Sequence, residues 1–248
     1  MLLGLATNGK REIPLETSGI KLWLDASDSS TIVSSGSTVT TWRDKSGLGN
    51  NAIQLGSTTL PTTGINTANG RNVVTFGGAA TMQIGASGTP GLGVTGIPSA
   101  DNTSFIVVRS NQDLATQTIL WMGIAGVPGT IRYFHKFSSN SGLVTFNNAT
   151  TNVAVTASGV TKSNLNILTS SLSLPTQSIS LNNGAAVTNA SGVYSADSNL
   201  ASLGALNGTT QFLNGDIAEI IMYNRALSST EISNINKFLS AKWGIAVS

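Results

Sequence analysis

Apolar positions along this chain alternate with polar ones far more often than they recur at helical spacing. In residues 20–25, Ile20, Leu22 and Leu24 take turns with Lys21, Trp23 and Asp25, the period-two signature of a half-buried strand. Comparable runs fall at 39–44, 72–76, 103–110, 118–124 and 131–137, then at 142–148, 165–172, 177–184 and 215–223. Ser-Gly, Gly-Gly, Asn-Gly and Pro-Gly steps punctuate them and mark turns. Many short strands with turn punctuation, and no alternation of strands with helices, argue for an all-β sandwich or barrel rather than βαβ units. No internal repeat is evident, and the Gly-rich stretches 55–70 and 84–102 read as long loops.

One segment changes period. Ser228, Ser229, Thr230 and Glu231 spell a capping box, in which the side chains of Ser228 and Glu231 satisfy two orphan amides reciprocally. Ile232, Ile235, Leu239 and Trp243 then fall on one stripe with Phe238 at its edge, and Gly244 is placed to stop the helix. Ser233, Asn234 and Asn236 are mediocre helix formers, so the helix is expected to form by docking its apolar stripe on the sandwich. The strand before it carries Asp216 and Glu219, three residues apart. On a continuous strand that odd spacing sends them to opposite faces. Glu219 then shares a face with Ile217, Ile221 and Tyr223, and Ala218, Ile220 and Met222 form the other. Glu219 is expected to hold Arg43, Arg225 or backbone amides.

Composition narrows the partners. Charged residues make up 10% of the 248 residues, against about 25% in ordinary domains. Ser, Thr, Asn and Gly supply the polar surface. A net charge of +2, with no basic cluster beyond Lys10-Arg11, leaves no electrostatic footprint for nucleic acid. There is no Cys, which removes disulfides, thiolate catalysis and Cys-ligated metals. The first residues place an apolar run before their basic pair, the reverse of a signal peptide, and no apolar run approaches the ~20 residues of a membrane span. Leu2, Leu3 and Leu5 sit in a segment, 1–18, that reads either as an arm docking on another subunit or as a loose terminus. Residues 19–248 form the domain.

Several segments carry a likeness. The closing stretch 212–245 runs from a strand through Tyr223-Asn224-Arg225 and a Leu-Ser pair to a short helix ending in Lys242-Trp243-Gly244. It resembles the end of laminin-G-like, concanavalin A-like jelly-roll domains. The opening LWLDASDSSTI, WRDKSGLGNNA and NGRNVVTF segments, and SISLNNGAAV, are similar to the same family. The likeness covers roughly residues 19–246, least so between 84 and 160. It implies a two-sheet jelly roll of the kind found in bacteriophage and other viral structural proteins and in bacterial surface proteins. Trp23, Trp42, Glu219, Tyr223, Arg225, Ser228, Glu231 and Trp243 would be its structural residues.

The same fold hosts lectins and glucanases, so chemistry has to be argued from residues. Glycosidases set two carboxyl groups across a sugar, and enzymes of this fold carry them as E-x-D-x-x-E on one strand; no such run occurs among the eleven acids. His135, the single histidine, reads as a plain strand residue. The Gly-rich 85–96 segment lacks the strand-to-helix context of a phosphate loop. Calcium is the one metal to weigh, because Asp25, Asp28 and Asp44 with Asn50 and Asn51 cluster in two early segments and hard cations take oxygen ligands. Asx turns explain the same residues. Of the tryptophans, Trp121 sits in an Ile-Leu-Trp-Met run and reads as core.

The expectation is therefore a jelly roll without catalysis and without a required cofactor. It would be made in a host cytoplasm and displayed on a virion surface as a capsid decoration, tail or fibre component. Its partners would be major capsid or tail proteins, other copies of itself and host glycans, with no nucleic acid and no membrane insertion. A lectin-like module of a viral or bacterial surface, or a glycoside hydrolase, are the alternatives.

Overall fold

The computed structural model describes residues 18–54, 58–86, 101–112, 116–123, 131–138, 143–147, 154–160, 163–190, 200–206 and 208–247. Their strands, in chain order, are β1 (Ile20–Asp25), β2 (Ile32–Ser35), β3 (Thr38–Trp42), β4 (Asn50–Ile53), β5 (Thr62–Ala68) and β6 (Arg71–Gly77). Next come β7 (Met82–Ala86), β8 (Asp101–Ser110), β9 (Gln117–Gly123), β10 (Ile131–Ser138), β11 (Leu143–Asn147) and β12 (Ala154–Ala157). The last are β13 (Asn166–Ser173), β14 (Thr176–Leu181), β15 (Val187–Asn189), β16 (Leu200–Leu203) and β17 (Asn214–Tyr223), before helix α1 (Ser229–Trp243). Every strand expected from alternation coincides with one of these.

Pairing between strands is antiparallel throughout and sorts them into two layers. In the first, β17 pairs with β8 along one side and with β6 and β1 in succession along the other, and β8 continues through β13 and β14 to β15. In the second, the order is β2, β3, β4, β7, β16, β9, β10, β11, β12. Strand β5 bonds both β6 and β3 and links the layers at one edge. Leu22, Leu24, Phe76, Ile106, Leu168, Ile217 and Ile220 from the first layer meet Trp42, Met82, Ile84, Leu120, Met122 and Leu203 from the second in one buried cluster. This is a two-sheet antiparallel sandwich of jelly-roll type with a single C-terminal helix, as the sequence resemblance implies.

A second apolar cluster lies outside the first layer, where Trp23, Val73, Phe105, Val107, Ile167, Ile221 and Tyr223 receive Ile235, Leu239, Trp243 and Ile245 from the helical end of the chain. The rings of Phe105 and Tyr223 meet edge to face at 6.3 Å. The helix starts on the expected capping box, with Glu231 N–H donating to Ser228 Oγ and Ser228 N–H to Glu231 Oε2 at 2.8 Å. It ends on Gly244 in the left-handed region, φ +69°, the conformation that a glycine adopts without strain.

Two expectations change. The Gly-rich stretch 55–70 is not all loop, because Thr62–Ala68 pairs with β6; its threonines favour extended backbone. The stretch 84–102 begins inside β7 and ends inside β8, and the rest of it lies outside the described residues. The 1–18 arm, with Leu2, Leu3 and Leu5, lies outside them too, save Ser18.

Candidate functional site

The acids of β17 are the natural place to begin. Pairing with β8 runs Asp216 to Arg109 and Ile217 to Val108, then jumps to Glu219 opposite Val107. Ala218 is the extra residue of a bulge, and a bulge reverses the face of everything beyond it. Ile217, Ile220 and Met222 therefore face the inner core, whereas Ala218, Ile221 and Tyr223 face the helix. The assignment of faces from odd spacing is corrected: Asp216 and Glu219 both lie on the outer face of the first layer.

Neither is open to a substrate, since both are fully buried. Asp216 accepts hydrogen bonds from Arg109 Nε, Thr75 Oγ1 and the amides of Asn66 and Asn111. Glu219 accepts from the indole N–H of Trp23 at 2.8 Å, that of Trp243 at 2.7 Å and Lys242 Nζ at 2.7 Å. The expected partners were wrong. Arg225 bonds Glu231 at 2.6 Å and the Ser18 carbonyl at 2.8 Å, and Arg43 reaches the Ser30 carbonyl. Glu231 is held down at about 2, chiefly by Arg225 and then by Ser228.

Asp25, opposite Glu219 across the β1–β17 ladder, shares Lys242 with it at 2.8 Å and takes Lys45 at 3.2 Å. Lys45 also meets Asp28 at 2.8 Å and stands over the Trp23 ring at 4.5 Å. Burial would lift the Asp25 carboxyl, but Lys242, Ser27 and Lys45 outweigh it and hold it below the ordinary value. Burial, reinforced by the charge of Asp25, lifts Glu219 in spite of Lys242 and Trp23. Asp28 is lowered to about 2 by Lys45 and Ser30. The network joins β1, β17, the segment after β3 and the last turn of α1, and its work is to hold them together.

The calcium candidates obey one local rule. Asp25, Asp28 and Asp44 each stand two residues before a serine, and each accepts that serine's backbone N–H at 2.9–3.1 Å and its hydroxyl at 2.6 Å. These are Asx turns. Lysines take further oxygens of Asp25 and Asp28, and the backbone amides of Trp23 and Asn50 take those of Asp44. Among the described residues no group of three or more acids or histidines is arranged for a metal ion. His135 is fully buried, with Nε2 2.8 Å from Ser170 Oγ, which in turn is 2.8 Å from Ser104 Oγ. Burial drives its pKa down to about 3. It is a neutral core residue bridging the two sheets.

The second layer presents a different surface. Met82 and Ile84, Ala201 and Leu203, and Leu120 and Met122 point into the inner core, so the residues between them point outward. Register places those residues in one row across four strands: Ile53, Gln83, Ser202 and Trp121. No helix among the described residues packs on this face. Trp121 belongs to neither apolar cluster but is buried, as its reading as a core residue expects. Gln83 and Trp121 are 1% and 5% exposed, yet neither amide atom of Gln83 and not the indole nitrogen of Trp121 has a hydrogen-bond partner. An unmet buried amide costs about 1–3 kcal/mol. Ser202, between them, turns its hydroxyl to the Ala205 carbonyl at 2.8 Å. The sequence singled out neither Gln83 nor Ser202. The polar residue between two core residues in Met82-Gln83-Ile84 was the one available signal, and it lay beside a stretch read as loop.

With this geometry in view, likeness to known proteins can be assessed. No protein-family model and no curated protein matches the chain. Solved structures do. Trypanosoma rangeli sialidase in complex with the inhibitor DANA superposes with a TM-score of 0.63 at 16% identity, covering 90% of this chain and 33% of the sialidase chain. The same sialidase with sialic acid gives a TM-score of 0.62 at 14% identity, over 94% and 35%. At such identities the likeness is one of fold, and this chain spans about a third of the length of the sialidase chains it matches. One expectation falls here. Catalysis was set aside for want of E-x-D-x-x-E, but the chains that share the fold are glycoside-cleaving sialidases, so that absence does not exclude an enzyme.

Proposed function

We propose that this chain is a lectin-like β-sandwich that contacts glycans through the outer face of its second layer, in the setting of a virion surface. The row of Gln83, Ser202 and Trp121 carries the reading: on the outer face of the second layer, away from α1, it combines a nearly buried indole with unpaired donors and an unpaired acceptor. Such a mixture suits a polyhydroxylated ligand, whose CH faces pack on aromatic rings and whose hydroxyls need partners. The fold shared with sialidases, bound to sialic acid in one case, lends support. The virion setting rests on the charge-poor, hydroxyl-rich composition and on the sequence resemblance. Residues 1–18, with Leu2, Leu3 and Leu5, are the proposed attachment arm to capsid or tail proteins. Screening the labelled chain on a glycan array is the direct test. Binding to a defined set of structures is expected, and no binding to any glycan refutes the proposal.

A second reading, glycoside cleavage, is favoured by the fold of the sialidases. Incubation with a fluorogenic sialoside and with natural polysaccharides distinguishes it by release of product.

A further inference from the structure

We infer that Asn69 is a site of spontaneous deamidation and that its conversion loosens the end of α1. An asparagine followed by glycine closes a ring more readily than one followed by any other residue, because no side chain beside the glycine nitrogen hinders its attack. Of the five Asn-Gly steps in the sequence, three have both residues described, and their surroundings differ. Asn214-Gly215 lies inside β17, with Gly215 buried where an added Cβ would meet the Arg109 carbonyl oxygen. Asn183-Gly184 is half-buried and engaged at both ends: Gly184 N–H donates to the Leu181 carbonyl at 2.9 Å, and Asn183 Oδ1 accepts from Asn236 at 3.2 Å. Asn69-Gly70 is the exposed two-residue turn between β5 and β6, at φ 47° and 70°, with Ala68 paired to Arg71. In such a turn the closing hydrogen bond comes from the residue after the glycine. The Gly70 nitrogen is left to water, and it is the available nucleophile.

The chemistry needs only water. Gly70 N attacks Asn69 Cγ, the Cγ–Nδ2 bond breaks, and Nδ2 leaves as ammonia with the proton of the Gly70 amide. Water then opens the ring at either carbonyl, giving aspartate or, with the chain rerouted through Cγ, isoaspartate. Position gives the change its consequence. Asn69 Nδ2 donates to the Lys242 carbonyl at 3.1 Å, one of the last carbonyls of α1, which have no partner within the helix. Asn69 Cγ also lies against Gly244, where an added Cβ would come within 3.1 Å of it. Conversion removes the donor and sets a carboxylate at the negative end of the helix dipole. The same last turn delivers Lys242 and Trp243 to Glu219.

Ageing the intact chain at mildly alkaline pH, followed by peptide mapping with mass detection, reads conversion site by site. Asn69 is expected to convert roughly tenfold faster than Asn183 or Asn214, because those two must first open locally. Hydrogen exchange of the aged chain should quicken several-fold at the amides of Gly244 and Ile245, which close the end of α1 on the Ser240 carbonyl, while β8 and β13 keep their rates. Freshly made Asn69→Asp should show the same local quickening. Asn69→Gly suits the positive φ and has nothing to convert, so its exchange should not change with age. Equal conversion at the three sites overturns the inference, as does conversion of Asn69 with no local change in exchange. So does an Asn69→Gly chain that quickens with age as much as the parent, or an Asn69→Asp chain that exchanges like the parent.

Discussion

Glu219 shows how a buried acid is used when it is not used for chemistry. Three donors converge on it, two indoles and an ammonium, and two of the three come from the end of α1. Removing one partner of a buried ion pair strands the other. Glu219→Gln turns an amide donor toward those three donors, so a loss of about 3 kcal/mol is expected from urea unfolding. His135 gives a pH signature of opposite chemistry. Its folded pKa, about 3, lies below the ordinary 6.5, so the unfolded chain takes up a proton that the folded chain refuses. The stability concerned is whole above pH 6.5 and drains away as pH falls toward 3, at about 1.4 kcal/mol per unit. His135→Gln should unfold with a shallower loss between pH 6 and pH 4, by about one proton, in paired urea titrations. The aspartates were half legible. Their Asp-x-Ser spacing is visible in the sequence, and it fixes the Asx turns, but Lys45, which bonds both Asp25 and Asp28, arrives from 20 and 17 residues away.

Among elements, α1 was the most legible and β17 the most misleading. A capping box, an apolar stripe and a terminal glycine are local signals, and the helix sits where they place it. Asn236 reads as a weak helix former, yet it is buried and ties α1 to the sheet through Thr169 Oγ1 at 2.9 Å and Asn183 Oδ1 at 3.2 Å. Trp243 is buried in the outer cluster and bonded to Glu219, so Trp243→Ala should cost about 3–5 kcal/mol. Ser228→Ala should cost about 1 kcal/mol. Thermal melts of both, set beside far-ultraviolet helicity, separate loss of docking from loss of the cap. In β17 the alternation was read correctly as a strand, but periodicity carries no sign of a bulge. The extra residue at Ala218 is a property of pairing with β8, and only the paired strand reveals that the two acids share a face.

At the scale of the molecule, alternation and turn punctuation were enough for an all-β sandwich or barrel with one helix, because those features are written residue by residue; the choice of two sheets came from the resemblance. Which layer the helix packs on is not written that way; α1 docks on the outer face of the first layer. The outer row of the second layer, with its unmet amide and indole, depends on register across β4, β7, β16 and β9, and residues 53, 83, 121 and 202 are far apart in the chain. The fold likewise admits both binding and cleavage of sugars, so the position of the contact surface decides more than the architecture does. Chemical-shift mapping of the chain titrated with an array-positive glycan measures that position directly. Perturbations should gather on Asn50–Ile53, Met82–Ala86, Gln117–Gly123 and Leu200–Leu203, and shifts confined to α1 and the outer face of the first layer would contradict the account.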